Sequence, residues 1–365
     1  MAKISRREVL KAGGALAMSP ALMAICGSAA CDSAAAADKP DPYADGVLVD
    51  GEPAKLSKGA FTVAVLPDTQ NYSERYPETY LAQTRWIVEN CKARNIACVL
   101  HLGDITNNNA PAEWINAQKA MRELDGRMPY FMVAGNHDYS EGGRCKDRTT
   151  LLNEYFPLGQ FRGTPNFGGA YDKEPDRLEN CYHLFSVSGR EFVVVALEFG
   201  PRRDVVRWAN EVVAKHKNRE AILITHAYMY DDDTRYDWKK YGDKQSWNPH
   251  NYAVAKTTAD DICDGEELWN SLVAKHENFI LTLNGHVLHD GLGRTKTATP
   301  AGRDVHQVLV NFQMRPKGGD GWLRLLEFRD DGRTVQAYDY SPTRNQRNES
   351  PQNQFTMTLA PVVRG

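Results

Sequence analysis

Pro129-Tyr-Phe-Met-Val-Ala-Gly-Asn-His-Asp138 joins a short apolar run to a cluster of polar side chains. Four other stretches repeat that plan. Phe61-Thr-Val-Ala-Val-Leu66 precedes Asp68-Thr-Gln70, and Ala97-Cys-Val-Leu-His-Leu102 precedes Gly103-Asp104. Ala221 to Thr225 runs into His226, and Phe279 to Leu283 runs into Gly285-His286. Runs of this length and composition read as buried strands. In open α/β sheets a ligand sits beyond the carboxyl ends of the strands, where Asp68, Asp104, Asn136, His226 and His286 all fall. A lone Asp there is most often a turn or helix cap, and a lone His is usually solvated or structural. Five such donors at five strand ends point instead to a metal site. Their mix of carboxylate, amide and imidazole suits Mn, Fe or Zn.

The segments between these runs set the architecture. Pro77-Glu78 opens a helix with Leu81, Thr84, Val88 and Cys91 on one face, and Ala112 to Leu124 reads as a second helix. Two successive β-α-β units imply a parallel sheet with right-handed crossovers. Tyr182–Val187 and Glu191–Leu197 flank Ser188-Gly189, a hairpin signal. Helices are expected over 204–217 and 268–276. Val305 to Phe312, Trp322 to Phe328 and Thr334 to Tyr340 read as three antiparallel strands. The predicted fold is α/β: a two-sheet α/β sandwich with mixed sheets, flanking helices and C-terminal antiparallel strands. Its expected limits are 61–345, with an aromatic-rich insertion at 227–261, a linker at 38–60 and a tail at 346–365.

Ser5-Arg6-Arg7 precedes a weakly apolar stretch, Ala12 to Ile25, too short to span a bilayer. This resembles a twin-arginine export signal over 1–37 and predicts a periplasmic or extracellular protein. Ala35-Ala36-Ala37 fits a peptidase site, whereas Ser28-Ala29-Ala30-Cys31 lacks the Leu of a full lipoprotein box. A soluble exported product is the expectation, with a lipid anchor on Cys31 as the alternative. The 44 basic and 47 acidic residues leave a net charge of −3, so no bulk attraction to nucleic acid is expected. No later stretch is long enough to cross a membrane. Cys91, Cys98, Cys145, Cys181 and Cys263 show no Cys-x-x-Cys spacing, which argues against a cysteine zinc site. Cys145 and Cys181 flank one loop region and are candidates to pair in an oxidising compartment.

The ordered blocks Asp68-Thr-Gln70, Gly103-Asp104, Gly135-Asn136-His137-Asp138, His226 and Gly285-His286-Val287-Leu288 resemble the calcineurin-like metallophosphoesterase family. The likeness runs from about Phe61 to Tyr340. It implies a metal-dependent hydrolase of phosphate monoesters or diesters. By resemblance, Asp104 bridges two metals, Asn136, His226 and His286 complete one coordination sphere, and Asp68 anchors the other. His137 is the implied acid toward the leaving group, with Asp138 orienting its ring. Two departures fall on the same metal: Gln70 and Leu288 stand where the family has histidines. Gln70 retains a carbonyl oxygen able to ligate, whereas Leu288 has no donor, and His289 lies one position further on. The centre is therefore expected to hold one or two divalent ions.

Small-molecule, glycan or lipid phosphate esters are the implied substrates. A non-catalytic or single-metal binding protein on the same scaffold is the alternative. The insertion carries Tyr228, Arg235, Trp238 and Trp247. Either it caps the site, with Arg235 meeting phosphate, or it is a surface loop pinned by its own aromatics. Asn107, Asn108 and Asn109 either touch phosphate oxygens or form a turn. His250 and His306 are not expected to be ligands.

Overall fold

Every residue of Phe61–Leu66 is buried, as a strand covered on both faces requires. The computed structural model describes Asp41 and residues 43–361, so the expected export signal, Cys31 and the start of the linker lie outside the described residues. The strands are β1 (Leu48–Asp50), β2 (Phe61–Leu66), β3 (Ile96–His101), β4 (Tyr130–Met132), β5 (Phe167–Ala170), β6 (Cys181–Val187), β7 (Arg190–Leu197) and β8 (Glu220–Thr225). They continue as β9 (Phe279–Asn284), β10 (Leu292–Ala298), β11 (Asp304–Val310), β12 (Leu323–Phe328), β13 (Thr334–Ser341), β14 (Gln346–Asn348) and β15 (Phe355–Thr358). One sheet runs β1-β14-β13-β12-β2-β3-β4, with β15 also paired to β13, and the other runs β10-β11-β9-β8-β7-β6-β5.

Side-chain alternation assigns the layers. Phe61, Val63 and Val65 share one apolar cluster with Phe192, Val194, Ile222, Ile224 and Leu283, so the two sheets pack face to face. The intervening Ala64 and Leu66, with Val193, Val195 and Leu223, join a second cluster that contains the flanking helices. Pro77–Asn90 buries Tyr80, Leu81, Thr84 and Ile87. Arg203–Lys215 buries Val205, Trp208, Ala209 and Val212, at the three- and four-residue spacing of one helical face. The mixed-sheet sandwich with outer helices is therefore the fold of this chain.

Three features differ from the expectation. β11 is not antiparallel to the last two strands; it pairs parallel with β9 and antiparallel with β10, in the other sheet. β10 itself escapes the apolar pattern because Leu292-Gly-Arg-Thr-Lys-Thr-Ala298 is an edge strand carrying a half-buried Arg294 and an exposed Lys296, and such charge is the usual protection of a free sheet edge. The expected linker and tail both supply strands, since β1 pairs with β14 and β15 pairs with β13. These strands are too short to give a periodic signal.

The cysteine pairing is also corrected. Cys145 and Cys181 are both buried free thiols, and Cys181 Sγ instead donates to the Arg177 carbonyl at 3.7 Å. Ser188 and Gly189, with φ of 49° and 73°, form the expected tight turn between β6 and β7.

β2, β3 and β4 are mutually parallel in the first sheet, as are β7, β8, β9 and β11 in the second. That arrangement fixes where the polar clusters following β2, β3, β4, β8 and β9 emerge.

Candidate metal centre

Asp104, His226 and His286, which follow β3, β8 and β9, are brought together with ligand atoms within 4.8 Å of one another, all three buried. His226 Nδ1 lies 2.8 Å from the Leu102 carbonyl. A carbonyl only accepts, so Nδ1 carries a hydrogen and Nε2 is the nitrogen that would ligate a metal on giving up its own proton. That Nε2 sits 3.2 Å from Asp104 Oδ1 but makes no well-directed hydrogen bond. His286 is held in the opposite tautomer. Its Nε2 donates to the Trp247 carbonyl at 2.8 Å, leaving Nδ1 as the donor atom. Asp104 Oδ1 also accepts the His137 N–H at 2.9 Å.

Asp68 lies beside this group. Its carboxylate accepts the His286 N–H at 3.2 and 3.0 Å and Asn311 Nδ2 at 2.8 Å. Gln70 opens the helix Gln70–Arg75 and donates Nε2 to Asn107 Oδ1 at 3.3 Å. Its Oε1, like Asn136 Oδ1, is buried without a partner. Buried acceptors left without donors cost roughly 1–3 kcal/mol each. A cation facing them removes that penalty, so the donor set fits a divalent metal.

The glycines of the motifs follow from how tightly this centre packs. A Cβ on Gly135 would lie 2.2 Å from Asp104 Oδ1, and one on Gly285 would lie 2.0 Å from Asp68 Oδ1. Two of the gathered residues have left-handed backbone, Asp104 at φ 45° and His286 at φ 78°. Such conformations cost about 1–3 kcal/mol and cluster at functional sites. Electrostatics point the same way. Burial pushes Asp104 upward, but His226, His137 and His286 outweigh it and hold the carboxyl below the usual range. Burial pushes the Asp68 carboxyl up to about 8. Burial would lower His226, yet Asp104 and Asp68 raise it to about 9. Burial, helped by His226, pushes His286 down to about 3.

His137 is half-buried, and its ring is oriented by the Asn107 carbonyl, 2.8 Å from Nδ1. The expectation that Asp138 orients this ring is corrected. Asp138 accepts from Ile105 N at 3.0 Å, Thr106 N and Oγ1 at 2.8 Å and Gly135 N at 2.8 Å. It ties the loop after β3 to the turn after β4. Nor does Arg235 face the centre: it binds Glu266 at 2.6 Å and lies over Trp269. His289 offers no replacement for Leu288, because its Nδ1 is 2.6 Å from Asp231. Asn108 binds Glu113 and Asn109 accepts from Trp114 Nε1, so both build a turn.

A second cluster, His250, Asp264 and Glu267, is internally satisfied. His250 sits between Asp260 and Glu267, and Asp264 caps the helix Gly265–Ser271.

Sequence reasoning missed Asn311 altogether and, at Trp247 and Asn107, the atoms that act. Asn311 follows β11 as the other polar residues follow their strands, so its position was a usable signal. Trp247 and Asn107 orient the histidine rings through main-chain carbonyls, which leave no trace in residue type.

The chain belongs to the calcineurin-like phosphoesterase family, whose model matches residues 61–290. Over 299 residues, 80% of this chain, it is 31% identical to the uncharacterized protein YvnB of Bacillus subtilis (strain 168); the match covers 21% of that protein, so the chain spans about a fifth of its length. Among solved structures it is similar to GAP50, the anchor in the inner membrane complex of Plasmodium, with TM-score 0.46 and 11% identity over 84% of this chain and 90% of that one. It is also similar to purple acid phosphatase PPD1 of yellow lupin (Lupinus luteus), with TM-score 0.44 and 13% identity over 85% of this chain and 55% of that one. Among the described residues, no helix is long and apolar enough to cross a membrane.

Proposed function

We propose that this chain hydrolyses phosphate esters at a divalent-metal centre held by Asp68, Gln70, Asp104, Asn136, His226 and His286. The observation that carries the reading is the convergence of Asp104, His226 and His286 within 4.8 Å, with the unpartnered Asn136 Oδ1 nearby in the chain's motif. A bound divalent ion supplies Lewis acidity toward water and phosphoryl oxygens.

The protein's own residues do the rest. Asp104, held ionised, provides the charge that retains a cation. Asn136 offers an oxygen dipole without adding charge beside an anionic substrate. Donating Nδ1–H to the Asn107 carbonyl fixes the His137 ring and leaves Nε2 free to hold a proton for the leaving-group oxygen. The half-buried position of His137 keeps that nitrogen within reach of an entering ester.

Asp104→Asn, assayed on aryl phosphates and phosphodiesters with added Mn, tests the reading. Turnover falling by 100-fold or more is expected, about the scale of losing one essential electrostatic contact, and undiminished turnover overturns it. Export belongs to the same reading, because Arg6-Arg7 precedes an apolar stretch. Replacing both arginines with Lys should retain the protein in the cytoplasmic fraction.

A further inference from the structure

We propose that a cavity of about 470 Å³, on the flank where β4 ends one sheet and β5 ends the other, binds an uncharged planar aryl alcohol. The inference does not rest on the metal-centre reading. The segment 125–129 leads into β4, whereas Asn136 follows it, so the cavity and the metal centre lie toward opposite ends of that strand.

The cavity falls in the range of about 300–1,000 Å³ typical of small-molecule sites. Met128, Tyr130, Phe131 and Phe161 give it a buried apolar lining. Two sets of bonds hold these walls. Gln160 Nε2 donates to Tyr130 Oη at 2.8 Å and to Asp125 Oδ1 at 3.2 Å, and Tyr130 packs edge-on to Phe161 with ring centroids 5.4 Å apart. The Asn166 main-chain carbonyl accepts the Leu184 N–H at 2.8 Å, and Asn166 Nδ2 donates to the Leu184 carbonyl at 3.0 Å. That pair fastens the segment before β5 to β6.

One buried polar atom in this apolar setting lacks a partner. His183 of β6 lines the cavity, is 2% exposed, and has Nε2 without a hydrogen bond. Burial pushes its pKa down to about 3, so the imidazole is neutral. Phe131 stacks on the ring at 4.2 Å and Phe167 meets it edge-on at 5.8 Å. A water beside that nitrogen meets aromatic carbon where it needs about two to four polar partners. An aryl hydroxyl needs only the one nitrogen, donating or accepting according to the tautomer, while its ring packs against the aromatic lining. Charge makes the same choice. Asp125 and Arg127, both exposed, are the charged residues of the lining and cancel, which favours an uncharged molecule.

The test is equilibrium dialysis of 2-naphthol against the full chain, once chelator-treated and once Mn-loaded. One molecule per chain is expected in both, with the same affinity. His183→Phe keeps a ring in place and removes the nitrogen, so 2-naphthol should bind roughly 3- to 10-fold more weakly, the scale of one hydrogen bond. Naphthalene, which lacks the hydroxyl, should bind parent and variant alike.

Circular dichroism checks that the His183→Phe variant folds, and Thr164→Trp tests the location independently. Thr164 is an exposed residue of the lining, and bulk added there should abolish 2-naphthol binding. Absence of saturable binding, or binding that depends on the metal, overturns the inference. So does a folded His183→Phe variant that holds 2-naphthol as tightly as the parent or weakens both molecules equally, and so does unimpaired binding by Thr164→Trp. Phosphatase activity enters none of these readouts, so the failure of either reading leaves the other standing.

Discussion

Asp138 and His137 are adjacent in sequence yet do different work, and the difference is measurable. Asp138 satisfies four donors from two loops. Asp138→Ala strands these groups at roughly 1–3 kcal/mol each when buried, so its thermal midpoint should drop sharply and activity should fall with it. His137→Ala should leave the midpoint nearly unchanged and lower kcat by about 10²–10⁴-fold, the usual range for a proton donor. Equal loss of stability in the two variants would contradict this division. At this scale the sequence was legible in residue type and strand-end position. Which atom of each side chain is used was not, because ring tautomers depend on carbonyls such as Leu102, Asn107 and Trp247, whose partners lie far along the chain.

The insertion is the element with a pH-sensitive fastening. Burial would lower His250, but its bonds to Glu267 and Asp260 raise it to about 9. A folded-state value above the ordinary histidine value of about 6.5 means the stabilisation is complete below that pH and is lost as pH rises through 9. Proteolytic nicking within 227–261 should therefore increase between about pH 7 and pH 9.5, and His250→Phe should flatten the dependence. A nicking rate independent of pH in the unmodified protein would refute it. Elements with strong periodicity, such as Pro77–Asn90 and Arg203–Lys215, were readable in the sequence. β10 and the sheet membership of β11 were not, because a polar edge strand lacks the apolar signal and local pattern does not encode which sheet a strand joins.

Across the whole molecule, buried charge pairs reinforce an apolar sandwich. Arg324 and Asp339 are fully buried and bidentate, with both bonds at 2.7 Å, and Asn353 adds a third contact to the same carboxylate. Arg190 of β7 pairs with Glu220 of β8 and lies against Phe61, Phe192 and Phe328, so one cation touches both sheets. Breaking a buried pair from one side leaves an uncompensated charge. Arg324→Leu should cost about 3–5 kcal/mol in urea unfolding, whereas Arg324→Leu with Asp339→Leu should recover most of that loss. A single variant as stable as the parent would show that the pair is not holding these strands.

The Trp247 carbonyl, resting on the His286 ring, has an unusual bearing on how the centre can be dissected. Every amino acid supplies that oxygen, so scanning the segment with alanine would pass over its contribution. A depsipeptide link between Trp247 and Asn248, which weakens that one acceptor and changes no side chain, is the manipulation able to expose it.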